Sequence, residues 1–226
     1  MKIGLDILGG DYAPKATITG AIEAQKQLTG DQKIVLFGKT EETKQLINQA
    51  GGNSSDFEYV EAPEIIAMGE HPTKAIAQKP NSSIAKGFDY LKNKEIDSFA
   101  SAGNTGAMLV GSMFSVKAIP GVLRPAIASI VPKLKSGFGI LLDVGANADC
   151  KPEMLNQFAI LGSVFAEHVF NVSNPKVGLL NIGEEEEKGN ILTTSTYPLL
   201  KANDKINFIG NAEGRDLFSD HADVYV

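Results

Sequence analysis

Apolar and polar positions fall into blocks that switch between two periods along the chain. Residues 2–8, KIGLDIL, form a short apolar run that predicts a buried strand, stopped by Gly9, Gly10 and Asp11. Over 14–28 the apolar positions Ile18, Ala21, Ile22 and Leu28 recur at helical spacing, and Pro14 suits a first turn. KIVLFG at 33–38 predicts a second buried strand. A helix over 40–50 follows, opened by Thr40 with acidic neighbours, and then a short strand, FEYV, at 57–60. The next stretch carries Pro63, Gly69, Pro72 and Pro80 and shows neither period, so it reads as a functional loop.

Ser82 and Ser83 can cap a helix over 84–94, after which DSFASAGNTG repeats the order of strand, small-residue turn and helix. The helix over 105–117 is apolar all round and is expected to be buried. AIASIVPKL and FGILLDVGA, separated by Lys135, Ser136 and Gly137, read as a hairpin. A helix from Pro152 to Phe170, a strand at 176–183 and a helix near 195–203 follow. INFIG, NAEGRDLF and DVYV then predict a strand, a turn or short helix, and a last strand. This alternation predicts an α/β fold over 1–226: one catalytic domain with a mostly parallel sheet, helices on both faces and an inserted hairpin.

In a parallel sheet the strand-to-helix turns gather at one edge, where ligands bind. Five such turns are built from unusual residues: Gly9–Asp11, Ala102–Gly106, Asp143–Asn147, Asn181–Glu185 and Gly210–Asp216. Glycine lets backbone N–H groups approach a ligand, and a helix start offers free donors to phosphate. Ordinary turn and cap chemistry explains any single one of them; their repetition points to a shared site. None is a P-loop or a dinucleotide-binding fingerprint.

Composition narrows the classes. The chain has 226 residues, 43% of them hydrophobic and 21% charged, which suits an ordinary globular protein. No apolar run is long enough to span a bilayer, and Asp6 interrupts the N-terminal run too early for a signal peptide. The single cysteine, Cys150, precludes an internal disulfide framework and fits a reducing cytoplasm. Net charge is −6, yet His71 to Leu142 holds nine Lys and Arg against three Asp and Glu. Such a segment reads as a solvated face or as a docking surface for an anionic partner. Nucleic acid is disfavoured, because no aromatic pattern accompanies the lysines. His71, His168 and His221 lack metal-ligand spacing, and the run Glu184–Glu187 reads as a solvated helix start before it reads as a Mg²⁺ site.

The turns carry a further signal. DILGGDYAP, NSS at 81–83, SAGNTGA at 101–107, RP at 124–125, LDVGAN at 142–147, QFA at 157–159, VGLLNIGEEEEKGN at 177–190 and FIGNAEGRD at 208–216 occur in this order. In them the chain resembles the bacterial phosphate acyltransferases of phospholipid synthesis, the acyl-acyl-carrier-protein phosphotransacylases. Leu8 stands where that family usually has Met, and Ala77 where it often has Arg, with Lys74 and Lys79 nearby as substitutes. The family pattern also runs on past DVYV.

The resemblance implies a fold like the isocitrate and isopropylmalate dehydrogenase group and phosphotransacetylase. It implies a homodimer that joins inorganic phosphate to a long-chain acyl group from acyl carrier protein, without cofactor or metal. The acyl phosphate would pass to a membrane acyltransferase, with this protein cytoplasmic and peripheral at the inner face of the membrane. In that chemistry Gly103, Asn104, Thr105 and Gly106 are expected to cradle phosphate or the developing oxyanion. Asn147, Asn181 and Asn211 would orient substrate. Lys188 and Arg215 would neutralise charge, and Asp11 or Asp143 would orient a cation or act as a weak base. Gly10 and Glu184 are expected to line the binding site. The rival readings are a short-chain phosphotransacetylase using coenzyme A, a decarboxylating dehydrogenase of the same fold group, and a non-catalytic scaffold that binds carrier protein.

Overall fold

The computed structural model describes residues 1–135 and 137–226; Ser136, in the predicted hairpin connection, lies outside the described residues. The chain divides into two compact units, Met1–Lys117 and Ala118–Val226. The sheet expected to be single is two sheets, one in each unit.

The first unit contains β1 (Lys2–Asp6), α1 (Lys15–Gln25), β2 (Lys33–Gly38), α2 (Thr40–Gln49), β3 (Glu58–Glu61), α3 (Pro72–Gln78), α4 (Ser83–Lys92), β4 (Ser98–Ala100) and α5 (Thr105–Ser115). Its four strands are all parallel, in the order β3-β2-β1-β4. The run KIVLFG explains why both faces are covered. Ile34 and Leu36 point into a cluster with Ile18, Ile22 and Ile47 of α1 and α2, while Val35 and Phe37 point the other way, towards Val60 and Ile96. Phe37 meets Tyr90 and Phe99 edge-on, with centroids 5.3 and 5.5 Å away. A fully buried phenylalanine of this kind contributes about 2 kcal/mol through area alone.

Two expectations fail in this unit. The stretch read as a loop contains α3, which starts on Pro72, where a helix tolerates the missing N–H, and buries Ala75. Helix α5 is not buried all round. Ala107 and Gly111 face the core, whereas Met113, Phe114 and Val116 at its end are exposed. An all-apolar helix needs cover on every side, and among the described residues α5 has it only where α3 and α4 pack.

The second unit contains β5 (Ala128–Pro132), β6 (Phe138–Leu142), α6 (Pro152–Phe170), β7 (Lys176–Asn181), α7 (Ile191–Lys201), β8 (Asn207–Glu213), a short 3-10 turn (Gly214–Phe218) and β9 (Val224–Tyr225). The strand order is β5-β6-β9-β7-β8, with only the predicted hairpin pair β5–β6 antiparallel. Helices α6 and α7 cover one face, where Phe158, Ala159 and Leu200 meet Ile140, Val177 and Val224. The opposite face is closed more thinly, by Ala212, Ala222 and Tyr225 against the 3-10 turn. Tyr225 is fully buried; its hydroxyl donates to the Asp216 carbonyl at 2.6 Å and accepts from Ala222 N–H at 3.2 Å.

The expected turn at 210–216 is half strand. The register slips between β7 and β8, leaving Ile209 as an extra residue, and Gly210 takes φ +104°. A bulge of this kind lets the ladder continue, so Asn211 and Ala212 lie inside β8.

Candidate functional site

In the first unit, strands β1 and β4 are parallel neighbours, so the turns that follow them lie side by side. A Cβ on Gly9 would stand 2.8 Å from both the Gly103 nitrogen and the Ser101 hydroxyl, so only glycine permits this approach. Between the turns sits Asp6, 1% exposed. Its carboxylate accepts from Leu8 N–H at 2.9 Å, Gly9 N–H at 3.1 Å and the Ser101 hydroxyl at 2.7 Å. The Ser101 oxygen in turn accepts from Gly103 N–H at 2.9 Å. Neither Asp6 nor Ser101 is among the expected site residues. The signal for Asp6 was a lone acid inside the apolar run KIGLDIL, since a buried charge needs dedicated donors.

Asn104 caps α5, its Oδ1 accepting from Ala107 N–H at 2.9 Å. Its Nδ2 donates to the carbonyls of Ala67, Met68 and Glu70 at 3.0–3.1 Å. The side chain is 4% exposed and fully engaged, so it pins the 67–70 loop to the start of α5. Glu70 receives Lys79 at 2.6 Å and Ala67 N–H at 2.7 Å, and this pair holds its carboxyl below the usual range. Lys79 is thereby occupied. Thr105 is exposed at the first position of α5, Gly106 packs against Pro72, Gly10 is half-buried against Ala102, and Asp11 is exposed on the neighbouring turn.

In the second unit, Asp143 follows β6 directly. It accepts from Ile127 N–H at 2.7 Å and Ala146 N–H at 3.1 Å. Asn147 donates to it through N–H at 2.7 Å and Nδ2 at 3.1 Å. Burial pushes this carboxyl up, but the donations from Ile127, Ala146 and Asn147 outweigh it and hold the group below its ordinary value. Asp143 is therefore a weak proton acceptor near neutrality. The Nδ2 of Asn147 also donates to the Pro125 carbonyl at 2.8 Å, which ties the turn to the RP segment.

Asp143 and Asn147 line a cavity of about 310 Å³ with Cys150, Leu155, Leu179 and Leu192. Burial raises the Cys150 thiol, with Asp143 adding to the shift, which disfavours a thiolate nucleophile there. A second hollow shares Leu180 and Thr193 with the first and reaches Asn181 and Gly189. Asn181 accepts from Ile182 N–H and donates to the Lys188 carbonyl, both at 2.9 Å, and so closes the 182–188 loop. Asn190 caps α7 in a capping box with Thr193, which starts that helix at Ile191 rather than near 195. The Nδ2 of Asn211 donates to the Glu185 carbonyl at 2.7 Å. Arg215 pairs with Glu184 at 3.2 Å and Glu213 at 3.3 Å. Lys188 is exposed and, among the described residues, makes no ion pair.

The expected residues thus fall into two groups. Gly10, Asp11, Gly103, Asn104, Thr105 and Gly106 lie in the first unit, on the two adjoining turns. Asp143, Asn147, Asn181, Glu184, Lys188, Asn211 and Arg215 lie in the second, where Asp143 bonds Asn147 after β6 and the others gather after β7 and β8, two strands further along the sheet. Among the described residues no set of three His, Cys, Asp or Glu side chains is arranged to hold a metal ion. Among the described residues no helix is long and apolar enough to cross a membrane. Of the basic segment, Lys79, Lys133 and Lys135 pair with Glu70, Asp223 and Asp220. Lys74, Lys86, Lys92, Lys94, Lys117 and Arg124 make no ion pair among the described residues.

The family model described as fatty acid synthesis protein matches residues 1–226. The phosphate acyltransferase of Dictyoglomus turgidum is 50% identical over 226 residues, covering all of this chain and 67% of that protein. The phosphate acyltransferase of Salinibacter ruber is 45% identical, again over 100% of this chain and 67% of its own length. Among solved structures, the chain is similar in fold to a phosphotransacetylase from Streptococcus pyogenes. The TM-score is 0.73 at 15% identity, covering 100% of this chain and 76% of that one. EutD phosphotransacetylase from Staphylococcus aureus gives a TM-score of 0.70 at 16% identity, covering 100% of this chain and 77% of its own. These structures bear out the phosphotransacetylase part of the expected fold. With the order of motifs, the α/β architecture and a match along every residue in agreement, the chain belongs to the fatty acid synthesis protein family, among its phosphate acyltransferases.

Proposed function

We propose that the complete protein moves a long-chain fatty acyl group from acyl carrier protein to inorganic phosphate, releasing acyl phosphate for phospholipid synthesis. The observation that carries this reading is the 50% identity to a phosphate acyltransferase across the whole chain. A phosphate oxygen attacks the thioester carbonyl, the oxyanion forms and collapses, and the carbon–sulfur bond breaks, leaving the carrier thiolate to take up a proton. Phosphate carries enough charge near neutrality to attack as it stands; a phosphate monoester's second pKa is about 6. The leaving thiol, with an ordinary pKa of about 8.5, departs without strong acid help. The catalyst must therefore position two anionic partners and stabilise an oxyanion, which backbone N–H groups and a cation accomplish.

Within this reading Thr105 and the amides of Thr105 and Gly106 meet phosphate or the oxyanion, beside Gly10, Asp11 and Gly103. Lys188 supplies positive charge. Asn104, Asp143, Asn147, Asn181 and Asn211 hold the turns in shape, and Arg215 is available to an anion only when it leaves Glu184 and Glu213. The protein works as a cytoplasmic homodimer, peripheral at the inner face of the membrane, and hands its product to a membrane acyltransferase. It needs no cofactor and binds no nucleic acid. The unpaired Lys74, Lys86, Lys92, Lys94 and Lys117 steer the acidic carrier, so apparent carrier affinity should fall steeply with salt.

One assay tests the reading. The complete protein is incubated with long-chain acyl carrier protein and phosphate, with chelator and without nicotinamide. Formation of acyl phosphate is the expected result. Turnover of acetyl coenzyme A alone would favour the short-chain alternative, and carrier binding without turnover would favour the scaffold.

A further inference from the structure

We infer that Asp6 is a positioning residue for the phosphate-side reactant, acting through Ser101 on the two adjoining turns of the first unit. This inference rests on the function proposed above. Asp6 has the burial of a core residue and the chemistry of a site residue: it is 1% exposed and makes no ion pair among the described residues. A buried charge costs heavily unless dedicated donors satisfy it. Here the donors are Leu8 N–H, Gly9 N–H and the Ser101 hydroxyl, at 2.9, 3.1 and 2.7 Å. Two of them belong to the turn after β1, and the third lies 95 residues away, beside β4. Ser101 relays the anchor by accepting from Gly103 N–H at 2.9 Å.

Two consequences follow. The carboxylate takes the inward amides of Leu8 and Gly9, and Ser101 takes that of Gly103. The donors left to an incoming anion then include Thr105 and Gly106 at the start of α5, where Ala107 N–H is held by Asn104, and the Gly10 and Asp11 amides of the neighbouring turn, which have no partner among the described residues. The relay also sets the spacing between the turns. A side chain on Gly9 would collide with Gly103 and Ser101, so the turns touch backbone to backbone and a shift in one is passed to the other.

The test compares Ser101→Ala, Asp6→Ala and Asp6→Asn in the complete protein, with phosphate and acyl carrier varied separately. Asparagine keeps an oxygen acceptor for Leu8 and Gly9 and an amide that reaches Ser101. Ser101→Ala should raise the KM for phosphate about tenfold, the effect of one lost charge-assisted hydrogen bond, and Asp6→Ala, which removes three, at least as much. The KM for the carrier should stay within twofold, and Asp6→Asn should recover most of the phosphate KM. Equal changes in both KM values, or none, would overturn the assignment. Hydrogen exchange decides the coupling even if no acyl phosphate forms. In Ser101→Ala the Gly9 amide, which does not bond to Ser101, should exchange faster along with Gly103. An unchanged Gly9 amide would refute the relay, whereas a wild-type protein that makes no acyl phosphate would refute the proposed function instead.

Discussion

Each unit places an aspartate where a strand gives way to a glycine-bearing turn, and the two are held differently. In the first unit Asp6 is 1% exposed and reaches a serine 95 residues away. In the second, Asp143 is half-buried and takes every bond from within 16 residues: its hairpin partner Ile127 and its own turn. The first anchor is tertiary and ties two crossover connections together. The second is local, a turn closing on its own carboxylate. The tertiary anchor fixes the distance between turns; the local one fixes the shape of a single turn. Substitutions in the second unit should therefore act on that unit's folding, while those at Asp6 reach the neighbouring turn as well.

The largest expected effect is that of Asp143→Ala, which strips the acceptor from three backbone amides. A loss of about 3 kcal/mol is expected, at roughly 1–3 kcal/mol for a buried unsatisfied group. Denaturant unfolding followed by hydrogen exchange should show it in residues 118–226 and leave 1–117 unchanged. Loss of protection in both units together would break the distinction drawn above.

Next is Gly189→Ala. Gly189 has φ +104°, and an added Cβ would collide with the Thr193 hydroxyl and the Asn181 amide oxygen. The strained backbone and the disturbed α7 cap together should cost about 2 kcal/mol, again confined to the second unit. A melting-temperature shift of several degrees is the readout.

Lys188→Ala sharpens the comparison differently. Its side chain is exposed and carries no structural contact of the kind Asp143 has, so the melting temperature should hold while turnover falls at least tenfold, about 1.4 kcal/mol. Unchanged turnover in the complete enzyme would remove Lys188 from the chemistry.

The smallest effect concerns pH. The folded-state pKa of Asp143 lies below its unfolded value, because backbone and amide donors outweigh burial. Its stabilisation is therefore complete above the unfolded value, about 3.9, and is lost as pH falls through the folded value. Asp143→Asn should flatten the decline of stability as pH falls below the ordinary carboxylate value, about 3.9. An acid-unfolding curve as steep as that of the wild type would contradict this.

Legibility in the sequence followed the range of each interaction. Helix α6 runs from Pro152 to Phe170 as read, and β2 spans Lys33–Gly38 as read, because periodicity and flanking breakers are local. Asp143 stood out in LDVGAN because its partners lie in the same turn and hairpin. Asp6 did not, since its role depends on Ser101, which only strand pairing brings near. The division into two sheets was also hidden, because strand order is set by contacts across the chain rather than by any one segment. Asn211 was read as a turn residue because a bulge at Ile209, set by pairing with β7, is invisible in INFIGNAEG. The amides of Asn104, Asn147 and Asn181 were visible as residues, but their partners were not.

The position of β9 has a bearing on synthesis. Strand β9 lies between β6 and β7 and bonds to both. As the chain leaves the ribosome, the first unit has every strand of its sheet once residue 100 has emerged. The second must keep a slot open at the middle of its sheet until residues 224–225 arrive, exposing Ile140 and Val177 edges to any stray strand in the meantime. A nascent chain stalled near residue 205 should accordingly resist protease over its first half and be cut readily over its second.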